Sequence, residues 1–346
     1  MRDLIVVGGG PSGLSAAIMA AQKGLSTLVI EQKQGTIDKA CGEGLMPAAI
    51  DTLNDMGVEL AQSHEFLGIR YIQDRNMAEG KFRRGKGLGV RRLVLHQALH
   101  NRAKELGVEF QHQRAQNISQ TADHVRVDDH HAKYLFAADG LYSPIRKKLG
   151  LEAPAKRRPR LGIRRHYPIK PWSSFVEVYW SEHAEAYVTP VSDSLIGVAI
   201  LYYKEHAPPH QDKYQTLLSL FPTLKERLNC DPCTTLRGSG PFERRTTTPV
   251  QNRILLVGDS AGYLDPLTGE GIRMGLDSAH AAVQCIRHDQ PQRYHREWKS
   301  VTRRYWWMTG GLLQLREIPM LRKIMIPTLK RSPWLFGCII SALAEA

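Results

Sequence analysis

Leu4-Ile-Val-Val-Gly-Gly-Gly-Pro-Ser-Gly13 is the stretch that decides the fold of this chain. Four apolar residues without polar alternation suit a strand buried on both faces, as in a parallel sheet. Leu14 to Lys23 is rich in alanine and favours helix, and Gly24 stands where a helix C-cap is expected. Ser26 to Glu31 reads Ser-Thr-Leu-Val-Ile-Glu, a second short strand. Strand, glycine-rich turn, helix and strand make a βαβ unit of about 30 residues.

The spacing Gly8-x-Gly10-x-x-Gly13 sits where a dinucleotide-binding turn needs it. Gly8 permits the tight turn, Gly10 lets the backbone approach a pyrophosphate, and Gly13 lets the helix pack close to the strand. Pro11 and Ser12 open the helix, whose N-terminus offers free N–H groups and a positive dipole end to phosphates. Glu31 closes the second strand, placed for a carboxylate to accept ribose hydroxyls. An acidic residue there disfavours a 2′-phosphate, so the expected nucleotide is FAD or NAD rather than NADP.

Two later segments repeat the pattern of an apolar strand that breaks at an Asp beside a Gly. Tyr134 to Arg146 contains Asp139-Gly140, and Ile254 to Ile272 contains Gly258-Asp259. The second runs on through a glycine-containing loop into an Ala-rich helix expected from Met274. With Gly8 to Gly13 and Glu31, these matches lie in the order and spacing of a known family. The chain resembles the FAD-dependent oxidoreductases of the para-hydroxybenzoate hydroxylase-type fold, which include group A aromatic hydroxylases, flavin halogenases and geranylgeranyl reductases.

The resemblance implies FAD as cofactor and a role for each matching residue. Asp259 would accept the hydroxyls of the ribityl chain. Gly269, Gly271 and Ile272 would bring a helix N-terminus to the flavin pyrimidine edge, and Pro266 with Gly269 to Gly271 would form the loop over the ring. Asp139 and Gly140 would support the pyrophosphate region. Arg92, opening Arg-x-x-Leu-x-x-x-Leu, would reach the phosphates, with Arg91 beside it as the alternative. Cys41 lies in Cys41-Gly-Glu-Gly-Leu-Met-Pro47, and geranylgeranyl reductases carry a Cys-Gly motif at a similar place, so Cys41, Pro266 and Gly269 are the catalytic candidates.

The 346 residues, 42% hydrophobic and 23% charged, exclude a disordered tail protein, a fibre and a small disulfide scaffold. Five cysteines are too few for a secreted framework. The fold expected is α/β: a discontinuous Rossmann-like FAD-binding domain (1–65, 91–155 and 243–300) and a helical C-terminal segment (301–346). An antiparallel β-sheet substrate domain (66–90 and 156–242) is expected to roof the flavin. Tyr179, Trp180, Tyr187 and Tyr202 are its pocket candidates.

Forty-seven Lys and Arg against 34 Asp and Glu leave a net charge of +13. From Pro291 onward there are ten basic and three acidic residues, together with Trp298, Trp306, Trp307 and Trp334. A basic, Trp-bearing, apolar segment suits peripheral contact with anionic lipid. No nucleic-acid motif is present. The chain opens directly into a strand, and its best uncharged run, Ser332 to Ala344, is too short to span a bilayer. The expected location is cytoplasmic, with membrane association through the C-terminus.

Other readings of the same residues are weaker. Gly258-Asp-Ser-Ala-Gly262 resembles a serine-protease nucleophile turn, but the βαβ opening is foreign to that all-β scaffold. Cys230-Asp-Pro-Cys233 lacks a second pair for zinc and reads as surface thiols; His96 and His100 read as a solvated helix face, and no metal is expected.

The expected activity is an FAD-dependent oxidoreductase acting on a small hydrophobic organic or lipid substrate, with NADPH or NADH as transient electron donor. Monooxygenation leads. Reduction of an isoprenoid or lipid double bond follows, because Asp265-Pro-Leu-Thr-Gly-Glu-Gly271 and Gly262 lie closer to the reductase branch. Tyr187-Val-Thr-Pro190 lacks the Trp of the reductases' Tyr-x-Trp-x-Phe-Pro, and no halogenase Trp-x-Trp-x-Ile-Pro exists. A flavin-binding protein without turnover is the third reading.

Overall fold

The computed structural model of the chain describes residues 1–208 and 212–344. The opening strand, Arg2–Val7, lies inside a parallel sheet, between His130–Ala137 on one side and Thr27–Ile30 on the other. Ile254–Leu256 and Glu109–Gln111 extend the parallel order outward on either side. Val250–Gln251 adds an antiparallel edge, and Ile118–Gln120 and Val125–Val127 hang antiparallel from His130–Ala137.

The uninterrupted apolar run has a simple cause: both faces of this sheet are covered. Leu4 and Val6 point into a core with Leu14, Ile18, Leu99 and Leu276, supplied by the helices Pro11–Ala21, Arg92–Glu105 and Gly271–Arg287. Ile5 and Val7 point the other way, toward Ile30, Leu135, Ile145 and Leu256. Full burial of each such side chain contributes about 1.5–3 kcal/mol. Gly24, at φ 77°, ends the first helix as expected. The Ala-rich helix begins at Gly271, three residues before the expected Met274, because the glycine loop itself supplies its first turn.

A second sheet of seven strands runs in the order Arg237–Ser239, Arg160–Tyr167, Leu195–Tyr203, Ala184–Ser192, Val176–Trp180, Gly68–Gln73 and Asn76–Lys81. It is mixed rather than antiparallel: Val176–Trp180 and Gly68–Gln73 pair in parallel. These strands come from separate insertions, so no hairpin dictates their relative direction. A small third sheet joins Gly44–Leu45, Gly87–Gly89 and His64–Phe66.

Three helices close the chain: Tyr294–Glu317, Pro319–Arg331 and Pro333–Ala344. The last packs on Asn76–Lys81, where Gly80 leaves room for Ile340 and Phe336. Buried Arg316 pairs with buried Glu185, and Arg322 reaches Glu182, so the helices are tied to the second sheet by charge as well as by apolar contact. The result is an α/β protein with a Rossmann-like sheet, a second β-sheet and a helical C-terminus.

A side chain at Gly13 would overlap the Gly8 carbonyl. Gly13→Val is therefore expected to cost about 2 kcal/mol or more in urea unfolding. Gly24→Ala meets only open space and is expected to cost about 1 kcal/mol through its positive φ alone.

Candidate functional site

The two sheets enclose a cavity of about 370 Å³. Its lining divides by chemistry. Pro11, Ser12, Lys39, Arg92, Asp139 and Asp259 are polar or adjoin the first glycine turn, whereas Phe66, Ile69, Tyr71, Val176, Val178, Leu201 and Phe242 are apolar or aromatic. Cys41, Glu43, Pro266, Gly269, Gly271 and Ile272 line it as well.

The three glycine turns meet by direct contact. A Cβ at Gly8 would strike Ala138, beside Asp139, and Cβ atoms at Gly258 and Gly275 would both strike the Ser12 hydroxyl. Gly10 stays open, with only an Arg92 nitrogen within 4.0 Å of where its Cβ would lie. Glu31 accepts the Gly9 N–H at 2.8 Å and the Lys33 N–H at 2.9 Å, so part of its carboxylate holds the loop. His96 is buried rather than solvated, because its Nε2 donates to the Gly9 carbonyl at 3.0 Å. Burial pushes its pKa down to about 4.

Asp139 works on its own turn. It accepts from the Ser143 hydroxyl at 2.6 Å and from Ile145 N–H at 3.0 Å, capping the short Pro144–Lys148 helix. Next to Gly140, at φ 84°, lies the Lys39 ammonium. The buried Arg146 guanidinium donates to the Ser260 carbonyl at 2.8 Å and the Leu141 carbonyl at 3.0 Å, strapping the middle turn to the Gly258–Asp259 turn. Arg146 and Lys39 escaped the sequence reading. A basic residue just after a turn looks like ordinary surface charge until burial is known.

Arg92, not Arg91, faces the cavity. Its Nε is buried with no partner among the described residues, and no side chain caps the N-termini of Pro11–Ala21 or Gly271–Arg287. Donors in want of an anion, an open Gly10 and the Asp259 carboxylate fit a dinucleotide with a diphosphate and sugar hydroxyls. Burial pushes the Asp259 carboxyl up and the Lys39 ammonium down, while the charges of Lys39 and Arg92 oppose the shift on Asp259.

The Cys41 loop is held from both sides. Thr189 donates to the Gly42 carbonyl at 2.8 Å, and Glu43, at φ 61°, accepts Arg92 N–H at 2.8 Å and His166 Nε2–H at 2.6 Å. Arg164 donates to Asp38 at 2.6 Å and to the Lys39 carbonyl at 3.1 Å. Arg160, Arg164 and His166 alternate along one strand at buried positions. That period-two run of basic residues was the available signal for this network. Glu43 N–H points at Cys41 Sγ at 3.3 Å, and burial pushes the thiol pKa up.

Of the four aromatic pocket candidates, Tyr187 lines the cavity, donating to the Leu267 carbonyl at 2.9 Å. Tyr179 and Tyr202 lie on the opposite face of the second sheet, among Tyr167, Ile200 and Leu217, and Trp180 packs edge-on against Tyr71. Tyr71, which the sequence reading passed over, is in the lining. The Pro266–Thr268 turn is fixed by Asp265, which accepts Leu267 N–H at 3.0 Å and pairs with Arg160 at 3.1 Å. The Tyr305 hydroxyl accepts the N–H groups of Leu264 and Asp265.

Glu270 follows in the same loop, 4% exposed, with Oε2 unpartnered among the described residues. Burial pushes its carboxyl up to about 7. The folded chain keeps this proton while the unfolded chain releases it at the ordinary glutamate value. Stability should therefore fall as pH rises from the unfolded pKa toward about 7, then level off. Glu270→Gln is expected to remove about 2–3 kcal/mol of that decline, read from urea unfolding at about pH 5 and about pH 8.

The chain matches the FAD binding domain family over residues 1–288. Menaquinone reductase of Mycobacterium tuberculosis (strain ATCC 25618 / H37Rv) is 25% identical over 313 residues, spanning 82% of this chain and 76% of that protein. Digeranylgeranylglycerophospholipid reductase of Methanococcus vannielii is 24% identical over 328 residues, spanning 88% and 82%. A flavoprotein/dehydrogenase from Cytophaga hutchinsonii superposes with a TM-score of 0.86 at 16% identity, covering 99% of this chain and 92% of that one. That likeness is one of fold. With the match over residues 1–288, the chain belongs to the FAD binding domain family, and it is an FAD-dependent oxidoreductase of the para-hydroxybenzoate hydroxylase-type fold.

Proposed function

We propose that the protein reduces a carbon–carbon double bond of an isoprenoid or related lipid, with NADPH or NADH as transient electron donor. One observation carries this reading: Cys41, a half-buried thiol, stands in the wall of a cavity whose remaining lining is largely apolar. The reductases among the relatives support it, two of them bearing the names of isoprenoid lipids.

The residues that would hold FAD are those gathered at the glycine turns. The uncapped N-terminus of Pro11–Ala21 and Arg92 would bind the diphosphate, and Gly8 to Gly13 would let it approach. Glu31 would take the adenosine ribose with its free lone pairs. Asp259 would accept the ribityl hydroxyls, and Gly140 would keep Lys39 beside them. Pro266, Gly269, Gly271 and Ile272 would line the ring. Bound FAD in its reduced form supplies hydride.

Alkene reduction needs a proton as well as a hydride. Cys41 Sγ holds one at neutral pH, because burial opposes the thiolate. Glu43, His166 and Arg164 hold the loop so that this sulfur stays in the cavity wall. Phe66, Ile69, Val176 and Leu201 exclude water from the alkene and match it by dispersion alone.

A second reading, NAD(P)H-dependent hydroxylation of a hydrophobic substrate, has one observation in its favour. Tyr71 lines the cavity and its hydroxyl bonds to nothing among the described residues, which gives the site a group able to orient a phenolic oxygen. Anaerobic reoxidation of the reduced holoprotein by a digeranylgeranyl lipid, followed by visible absorbance, is the expected result. Substrate-accelerated oxygen uptake without anaerobic reoxidation would replace it with hydroxylation, and neither response would leave a flavin carrier. Cys41→Ala should keep the yellow colour and slow anaerobic reoxidation about a hundredfold. Asp259→Ala should lower the flavin-to-protein ratio of the purified protein; full retention would remove Asp259 from the cofactor site.

A further inference from the structure

Seven of the thirteen large apolar side chains exposed among the described residues gather in one C-terminal segment. Val301, Trp307, Leu315, Met320, Ile324 and Trp334 fall on the three C-terminal helices, and Ile318 lies in the turn between the first two. Trp307 is 77% exposed, and Met320 and Trp334 are each 71% exposed. On Tyr294–Glu317 the exposed positions Arg303, Trp307 and Leu315 recur at helical spacing, one stripe that begins basic and ends apolar and leads into Ile318 just beyond the helix. On Pro319–Arg331 the exposed stripe is Met320, Lys323, Ile324 and Arg331, with Lys330 beside it. The two stripes meet at the turn around Ile318, and the second leads into Trp334. Among the described residues, the one acidic residue exposed between them is Glu317.

We propose that this face docks the protein on an anionic lipid bilayer, lying in the interface rather than crossing it. No helix among the described residues is long and apolar enough to cross a membrane. What the face has instead is the pairing an interfacial surface needs: large apolar side chains with Trp among them, and cations next to them to meet lipid phosphates. Arg83 adds to that charge. Its backbone N–H bonds to Ser341 at 3.2 Å and its guanidinium to Cys338 Sγ at 2.7 Å, which sets it against the last helix.

A second copy of the chain is a poorer occupant. A twofold interface would set Lys323, Lys330 and Arg331 against the same cations of its mate, with only Glu317 to offset them. The face is also joined to the cavity. Pro333–Ala344 carries exposed Trp334 at its start, while Ile340 and Leu343 of the same helix line the cavity. Docking through this helix places a cavity wall beside the bilayer. The docking stands on surface chemistry alone and holds whichever flavin reaction the cavity performs.

Flotation of the full-length holoprotein with vesicles tests the proposal. Phosphatidylcholine vesicles containing one-third phosphatidylglycerol should bind it, pure phosphatidylcholine far less, and added salt should weaken binding. Brominated acyl chains should quench Trp fluorescence, and that quenching should fall in Trp334→Ser. The triple variant Lys323→Glu, Lys330→Glu, Arg331→Glu should lose at least about a hundredfold in affinity, counting roughly fivefold for each cation removed. Its flavin-to-protein ratio should stay that of the wild type. If the triple variant loses its flavin, Trp334→Ser alone decides. Equal partition into charged and uncharged vesicles, no binding to either, or wild-type quenching in Trp334→Ser would overturn the proposal. A concentration-dependent dimer that shields Trp334 in light scattering and quenching would also overturn it.

Discussion

The rest of the structure depends on one close approach, that of the Ser12 hydroxyl to two glycines. Gly258 and Gly275 have no side chain where Ser12 enters the packing, and Gly13 has none where the helix meets the Gly8 carbonyl. These absences let the first helix, the Gly258–Asp259 turn and the Gly271–Arg287 helix come within backbone contact. The ends of three parallel strands then share one space, and two helix N-termini open near it. Phosphates and sugar hydroxyls can be bound there by groups already in place, with little further ordering of the chain.

Buried charge does the rest of the positioning. Arg146 joins the middle turn to the third, Glu43 with His166 and Arg164 holds the Cys41 loop, and Arg160 with Asp265 holds the Pro266 turn. Each network spans two elements that apolar packing alone would leave free to slide. Ion pairs removed from water add little net stability, because desolvation offsets much of their attraction. Their geometry is specific, and geometry is what a site needs when its reacting groups come from separate sheets.

The C-terminal helices serve both sides of the molecule. Their inner faces complete the cavity with Ile340 and Leu343 and anchor to the second sheet through Arg316 and Arg322. Their outer faces keep Trp307, Met320 and Trp334 in solvent among cations. A long apolar substrate and a lipid surface, the occupants proposed for the cavity and for the outer face, make similar demands on a protein, and this segment borders both places.

The glycine spacing, the apolar runs and the Asp-Gly turns by themselves determined the parallel sheet and the expectation of a dinucleotide, and pointed to many of the residues that line the cavity. They are local features, since a tight turn or a doubly buried strand imposes its composition on neighbours in sequence. The choice of Arg92 over Arg91, the burial of His96 and the clamp on Cys41 were decided only by tertiary structure. So were the mixed second sheet and the place of Tyr187 and Tyr71 in the lining, against Tyr179 and Tyr202 on the far face. Each depends on which side of a strand or helix meets a partner far along the chain. Burial and long-range hydrogen bonding then turn an ordinary Arg, His or Tyr into a part of the site.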